Sequence, residues 1–258
     1  MFFQPLNPPI RSFQGQRIWL VGASTGIGAA LAEQLIAAGA RVAVSARSAD
    51  TLTQQFSGRA EILPLDITDA TALNVGTQTL CTHWSGLDLV LAIAGTYQVM
   101  RADQMDLEAA KRILDINLSG VLNLFAAVQP TLLQQGHGGF GIVSSVAGYG
   151  GLPLSLAYGA SKAACINLAQ SLWLDLHDKG IGIYLINPGF VRTPLTANNP
   201  FPMPFLIDAD VAAQAIMRGL QRGAFEIHFP KTFSRLLKLL NLLPHWLYLR
   251  LVKRGTGL

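Results

Sequence analysis

Two cysteines, Cys81 and Cys165, are all that 258 residues provide. They allow no disulfide framework, and neither has a metal ligand at useful spacing, so no metal site is expected. A cytosolic redox environment is the expectation that follows. Charge is scarce as well: Asp, Glu, Lys and Arg make up 13% of the chain against 50% hydrophobic residues. That balance excludes an intrinsically disordered protein. No stretch offers ~18 uncharged apolar residues, so no membrane-spanning helix is expected. The N-terminal segment 1–16 carries Pro5, Pro8 and Pro9 but lacks the charged start and continuous apolar run of a signal peptide.

Two acid-free stretches bear on partners: no acid lies between Glu33 and Asp50, and none follows Glu226. Lys231, Arg235, Lys238, Arg250, Lys253 and Arg254 all lie beyond Glu226, so the formal net charge of +4 belongs to the tail. The remainder shows no clustered Lys/Arg interleaved with aromatics, and no nucleic-acid partner is expected.

What is present is rhythm. Apolar runs at 17–21, 41–45, 60–65, 87–92, 139–145 and 181–187 alternate with helical-period segments at 26–38, 49–56, 69–82, 106–134 and 155–179. Continuous rather than alternating apolarity suits strands buried on both faces. Gly39 and Gly180 stand where helix-ending glycines belong. Repeated strand–helix–strand spacing predicts an α/β fold, a doubly wound, Rossmann-like parallel sheet forming one domain over residues 1–230. After Gly189 the rhythm breaks into a loop with Pro194, Pro200, Pro202 and Pro204, then a helix near 208–222 and a short strand at 224–229. Residues 231–258 form a basic, apolar, helical extension, divided by Pro244.

The first strand runs into Gly22-Ala-Ser24-Thr25-Gly26-Ile27-Gly28 and then a helix. Backbone N–H groups can approach a pyrophosphate only where side chains are absent, and the helix N-terminus favours negative charge. A dinucleotide cradle is therefore expected from Gly22 to Gly28. NAD specificity usually relies on an acid ~20 positions further on. Here the second strand ends Ser45-Ala46-Arg47. Arg47 suits a 2′-phosphate, with Ser45 in place of a repelling carboxylate, although a solvated surface arginine would look the same. NADP(H) is favoured over NAD(H).

Tyr158 and Lys162 stand four residues apart, on one face of a helix. A cation there is expected to lower the pKa of the phenol and make it a usable acid or base. Ser145, thirteen residues upstream, ends a strand where open α/β sheets build their sites, and its hydroxyl can bind a reacting carbonyl oxygen.

These residues, with the glycine loop, resemble the short-chain dehydrogenase/reductase family from Arg17 to Thr193. The resemblance implies catalysis by Asn117, Ser145, Tyr158 and Lys162. Tyr158 would give the proton, Ser145 would orient substrate, and Asn117 would hold a relay water. Lys162 would bind the nicotinamide ribose. It also implies cofactor contacts from Asp66 near the adenine, from Ala94 and Gly95, and from Pro188, Gly189, Val191 and Thr193 near the nicotinamide. The family's usual Asn-Asn-Ala-Gly is Ala92-Ile93-Ala94-Gly95 here, so a backbone brace is missing or made elsewhere. The Thr that commonly precedes the first glycine is Val21.

The expected activity is hydride transfer between NADP(H) and a small apolar carbonyl or secondary alcohol. A non-catalytic NADP-binding scaffold on the same fold is the alternative. The family implies a homodimer or homotetramer through helices 106–134 and 155–179. The tail either lies on a membrane surface, which would make the protein peripheral to it, or packs on the domain, the pocket or a second subunit.

Overall fold

The strands are apolar throughout because they lie between two helical layers. In the computed structural model, which describes residues 4–257, β1 (Arg17–Val21) sends Trp19 and Val21 into one core. Ile18 and Leu20 enter the other. Residues 1–3 of the proline-containing N-terminal segment and Leu258 at the tail's end lie outside the described residues. β1 is followed by α1 (Gly26–Ala37), β2 (Arg41–Ser45), α2 (Ala49–Phe56), β3 (Glu61–Ile62), α3 (Ala70–Trp84) and β4 (Leu89–Ala92). Next come α4 (Leu107–Leu114), α5 (Gly120–Gln135), β5 (Gly138–Val143), α6 (Leu156–Leu176) and β6 (Ile181–Pro188). A small ribbon of β7 (Val191–Arg192) and β8 (Ile207–Asp208), then α7 (Ala209–Gln221) and β9 (Glu226–Phe229), complete the body. The tail is α8 (Lys231–Asn241) and α9 (His245–Thr256), broken at Pro244.

The main sheet is parallel, in the order β3-β2-β1-β4-β5-β6-β9. Leu73 and Leu80 of α3, Leu124 and Val128 of α5 and Cys165 of α6 cover one face. Leu31 and Leu35 of α1, Phe56 of α2 and Ile216 of α7 cover the other. The winding reverses between β1 and β4, and the crevice beyond their carboxyl ends is where this architecture binds ligands.

Three sequence expectations change. β3 is shorter than 60–65, covering Glu61–Ile62, although Leu63 and Leu65 still donate to Val44 and Ala46. Helix 106–134 is interrupted by a π-helical turn, Asp115–Ser119. The rod Leu107–Gln135 is also long and apolar enough to cross a membrane by length and composition, which the sequence reading had excluded. It instead buries Val121, Leu124, Val128 and Leu132 against the sheet.

Upstream of the sheet, Asn7 acts as a piece of strand. Its Nδ2 donates to the Ile183 carbonyl at 2.7 Å, and its Oδ1 accepts from the Ile183 amide at 3.1 Å. The amide side chain thus satisfies both backbone groups of one residue on β6.

Candidate active site at the sheet switch point

The glycine loop is built by close contact within the protein before any ligand is considered. A Cβ on Gly22, where φ is +105°, would fall 2.3 Å from the Ala94 amide nitrogen. One on Gly28 would meet the Gly22 carbonyl oxygen. Gly22 therefore lets the β1 loop touch the β4 loop, and Gly28 seats α1 on that turn.

The start of α1 differs from those of α2, α3 and α4. Ser48, Asp69 and Asp106 cap α2, α3 and α4 by accepting from backbone amides. Thr25, at the N-cap of α1, makes no side-chain cap, and the first turn holds no acid. The first amides of α1 are left for another acceptor.

A cleft of about 410 Å³ opens above this loop. Gly22, Ser24, Thr25, Gly26, Ile27 and Gly28 border it, with Arg47 after β2 and Asp66 after β3. Ala94, Gly95, Pro188, Gly189, Val191 and Thr193 also line it, together with Tyr158 and Lys162. Every cofactor residue expected from sequence therefore meets at one cavity. Asn117 and Ser145 are buried and lie beside lining residues, Asn117 bonded to Thr96 and Ser145 to Tyr158.

Ser45 departs from expectation. It is fully buried and accepts from Trp19 Nε1 at 2.9 Å, because its position on β2 turns it into the core. Ala46 and Arg47 reach the cleft instead. Arg47 is exposed, and among the described residues no ion pair involves it.

Asn117 sits in the π-helical turn. Its Oδ1 accepts from the Thr96 amide at 2.8 Å, and its Nδ2 donates to the Thr96 carbonyl and to Ser161 Oγ. Both amide hydrogens are engaged, so this side chain braces the segment after β4. The Asn117 carbonyl accepts the Cys165 thiol at 3.1 Å.

A family-wide comparison decides the classification: the short chain dehydrogenase family model matches residues 16–201. The chain belongs to the short-chain dehydrogenase family. An uncharacterized oxidoreductase of Myxococcus xanthus (strain DK1622) is 35% identical to this short-chain dehydrogenase over 235 residues, spanning 89% of this chain and 93% of that protein. The 3-oxoacyl-(acyl-carrier-protein) reductase FabG of Escherichia coli (strain K12) is 30% identical over 188 residues, 72% of this chain and 77% of that one. A short chain dehydrogenase from Burkholderia cenocepacia J2315, solved in complex with NADP, superposes with a TM-score of 0.83 at 25% identity. That match covers 93% of this chain and 99% of the other. The protein is thus an oxidoreductase whose fold binds a nicotinamide cofactor.

Within this short-chain dehydrogenase, the Tyr158 ring and the Lys162 ammonium face each other, with Nζ 5.7 Å from the ring centre. A cation one turn away is expected to lower the pKa of the phenol, but burial wins and pushes Tyr158 up to about 12. The Ser145 hydroxyl pulls the other way without overcoming it. Lys162 acts over the ring while donating to the Val143 carbonyl at 2.9 Å, and burial lowers its own pKa.

Two positioning residues were not legible in the sequence. Ser144 Oγ donates to the Lys162 carbonyl at 2.7 Å. Gly148 lets the turn after Ser145 approach α6: a Cβ there would lie 2.7 Å from the Lys162 carbonyl carbon. A Ser-Ser doublet at the end of a strand was the only local signal.

Proposed function

We propose that this chain transfers a hydride between NADP(H) and an apolar carbonyl or secondary alcohol, with Tyr158 exchanging the proton. The observation that carries the reading is the shared wall: Tyr158 and Lys162, one turn apart on α6, border the same cleft as the glycine cradle. The cradle fits a dinucleotide. No side chain projects from Gly22, Gly26 or Gly28, and the uncapped start of α1 offers amide donors to phosphate. Arg47 supports a 2′-phosphate, and Asp66 borders the same cleft. Ala94, Gly95, Pro188, Gly189, Val191 and Thr193 would flank the nicotinamide end. When bound, NADPH supplies the hydride.

The protein's own residues supply the rest. In reduction, Tyr158 gives its hydroxyl proton to the carbonyl oxygen, while Ser145 donates a hydrogen bond to that oxygen. The phenolate left on Tyr158 is stabilised by the Lys162 ammonium beside its ring. The cation acts on charge that develops during the step, so a high resting pKa is compatible with catalysis. Lys162 would also hold the ribose hydroxyls, and Asn117 keeps the loop at Thr96 in place.

An aromatic cluster supports an apolar substrate. Phe233 of α8 stacks on Phe190 at 5.4 Å and on Phe205 at 5.9 Å. Phe190 packs against Phe201 at 6.0 Å. The 3-oxoacyl chain named for the FabG relative is one instance of such a substrate. We read the assembly as a homodimer or homotetramer through α4, α5 and α6, where Leu114, Leu122, Leu156 and Leu174 are exposed.

The test is to follow NADPH absorbance across carbonyl compounds of graded chain length. Tyr158→Phe is expected to lower kcat/KM by roughly 10²–10⁴-fold while NADPH binding persists. Undiminished turnover in that variant overturns the assignment. Arg47→Ala is expected to weaken use of NADPH, not NADH, by about 1.5–3 kcal/mol, the worth of a charged hydrogen bond.

A further inference from the structure

The two tail helices have opposite faces with opposite fates. On the inner side Ser234 is fully buried and meets His228 Nδ1 at 2.6 Å. Lys238 pairs with Glu226, and Tyr248 donates to the Gly151 carbonyl at 2.9 Å. The tail is therefore anchored to the body by specific polar contacts.

Its outer side is apolar and uncovered. Leu236, Leu239 and Leu242 follow at three-residue spacing along α8 and its C-cap, and they are 50%, 64% and 81% exposed. On α9, Trp246 and Leu249 are 61% and 58% exposed. Exposed cations stand among them: Arg235 beside the α8 leucines, and Arg250, Lys253 and Arg254 on α9. The Arg250 guanidinium lies over the Trp246 ring at 5.7 Å. No acidic residue follows Glu226 anywhere in the chain.

We propose that this outer face is a docking surface for an anionic phospholipid bilayer, with α8 and α9 lying flat in the headgroup layer. Leucines would enter the acyl boundary, Trp246 would sit at headgroup level, and the cations would meet lipid phosphates and carboxylates. Charge argues for this occupant over a second copy of the chain. Two copies paired through the face would oppose cation to cation with no carboxylate between them. The helices need no folding on arrival, because the inner contacts already hold them. The inference is independent of the reaction proposed for the cleft.

The experiment is flotation of the full chain with phosphatidylcholine vesicles, with and without phosphatidylserine. The wild type is expected to float only with phosphatidylserine and to be released by high salt. Leu239→Glu/Leu242→Glu alters side chains that touch solvent, so its thermal melt should match the wild type. Its partition onto anionic vesicles is expected to fall at least tenfold, and that of Arg250→Glu/Lys253→Glu likewise. Wild-type protein that stays unbound, or a leucine variant that floats equally well, overturns the proposal. So does a wild type that stays unbound while light scattering shows a dimer that the leucine variant dissociates, since a second copy would then cover the face.

Discussion

Two tyrosines nine residues apart, Tyr149 and Tyr158, are surrounded by nearly the same pieces. Each has a lysine over its ring, Lys238 at 5.4 Å and Lys162 at 5.7 Å. Burial pushes both phenols upward. One difference separates them. Tyr149 donates to Glu226 at 2.6 Å, and the same carboxylate takes the charge of Lys238. Burial first, and Glu226 after it, drive the Tyr149 pKa far above the ordinary range. At Tyr158 the neighbouring oxygen is the neutral hydroxyl of Ser145, and among the described residues no carboxylate pairs with Lys162. A phenol beside a lysine is thus not enough for proton transfer. Where a carboxylate neutralises the cation and accepts the phenolic hydrogen, the tyrosine becomes a strut. Where the cation stays uncompensated, it can stabilise a phenolate as one forms.

The sharpest way to break this contrast is to remove each lysine. Lys162→Met is expected to lower kcat/KM by roughly 10²–10⁴-fold, the range for losing acid–base assistance. Lys238→Met and Tyr149→Phe should leave kcat/KM unchanged, since neither group borders the cleft. Steady-state kinetics with one carbonyl substrate checks all three. Equal losses in the two lysine variants would erase the distinction. The pH profile sharpens it further. With the Tyr158 proton held up to about 12, the neutral phenol needed for reduction is present throughout roughly pH 6 to 9, so kcat/KM for reduction should be flat there. Oxidation needs the phenolate and should rise with pH.

The contrast also marks where sequence reading stops. The strand–glycine–helix unit and the Tyr158–Lys162 spacing are local patterns, and the structure brings both to one cavity. The helix over 49–56 has the same bounds in sequence and structure because Ser48 caps its start and Ser57-Gly58, with Gly58 at φ +73°, ends it locally. The π-helical turn at Asp115–Ser119 had no such signal. It answers to contacts made in space: the Asn117 amide clamps Thr96, and its carbonyl receives a thiol from Cys165. Burial is equally invisible to spacing, so the expected downward shift of Tyr158 came out upward. Tyr149 carries no local signal, because its partner Glu226 lies 77 residues away. The tail was readable as amphipathic, but which face packs inward is decided by Ser234, Lys238 and Tyr248 meeting particular groups on the body.

If Tyr149 is a strut, removing its acceptor should weaken the fold and leave the chemistry alone. Glu226 accepts from Tyr149, Asn187 and Lys238. Burial alone would raise its carboxyl, but the bond from Lys238 and those from Tyr149 and Asn187 overcome it and hold the pKa below the usual carboxylate value. Glu226→Ala leaves those donors unpaired and is expected to cost about 2–4 kcal/mol in urea unfolding. Because the folded pKa is depressed, the stability that Glu226 contributes is present above its unfolded pKa of about 4.3 and fades as pH falls below it. A destabilisation by Glu226→Ala that persists at acid pH would show that the carboxylate charge is not what holds the strut.

His228, two residues along β9, gives the smallest and most local test. Burial first, then the nearby Lys231 and Lys238 cations, depress its pKa to about 4. The folded state therefore keeps the ring neutral where the unfolded chain, with a pKa of about 6.5, takes up a proton. Stability should be full above that unfolded value and decline as pH falls from it toward the folded value. The ring is partly solvent-exposed, so screening reduces the effect to about 1 kcal/mol at pH 5, or about 2–4 °C in Tm. His228→Asn cannot titrate in this window and keeps a polar partner for Ser234. Its Tm should stay level between roughly pH 7 and 5, where the wild type declines. Parallel declines in the two proteins would move the acid sensitivity of the tail's attachment away from His228 and onto another group.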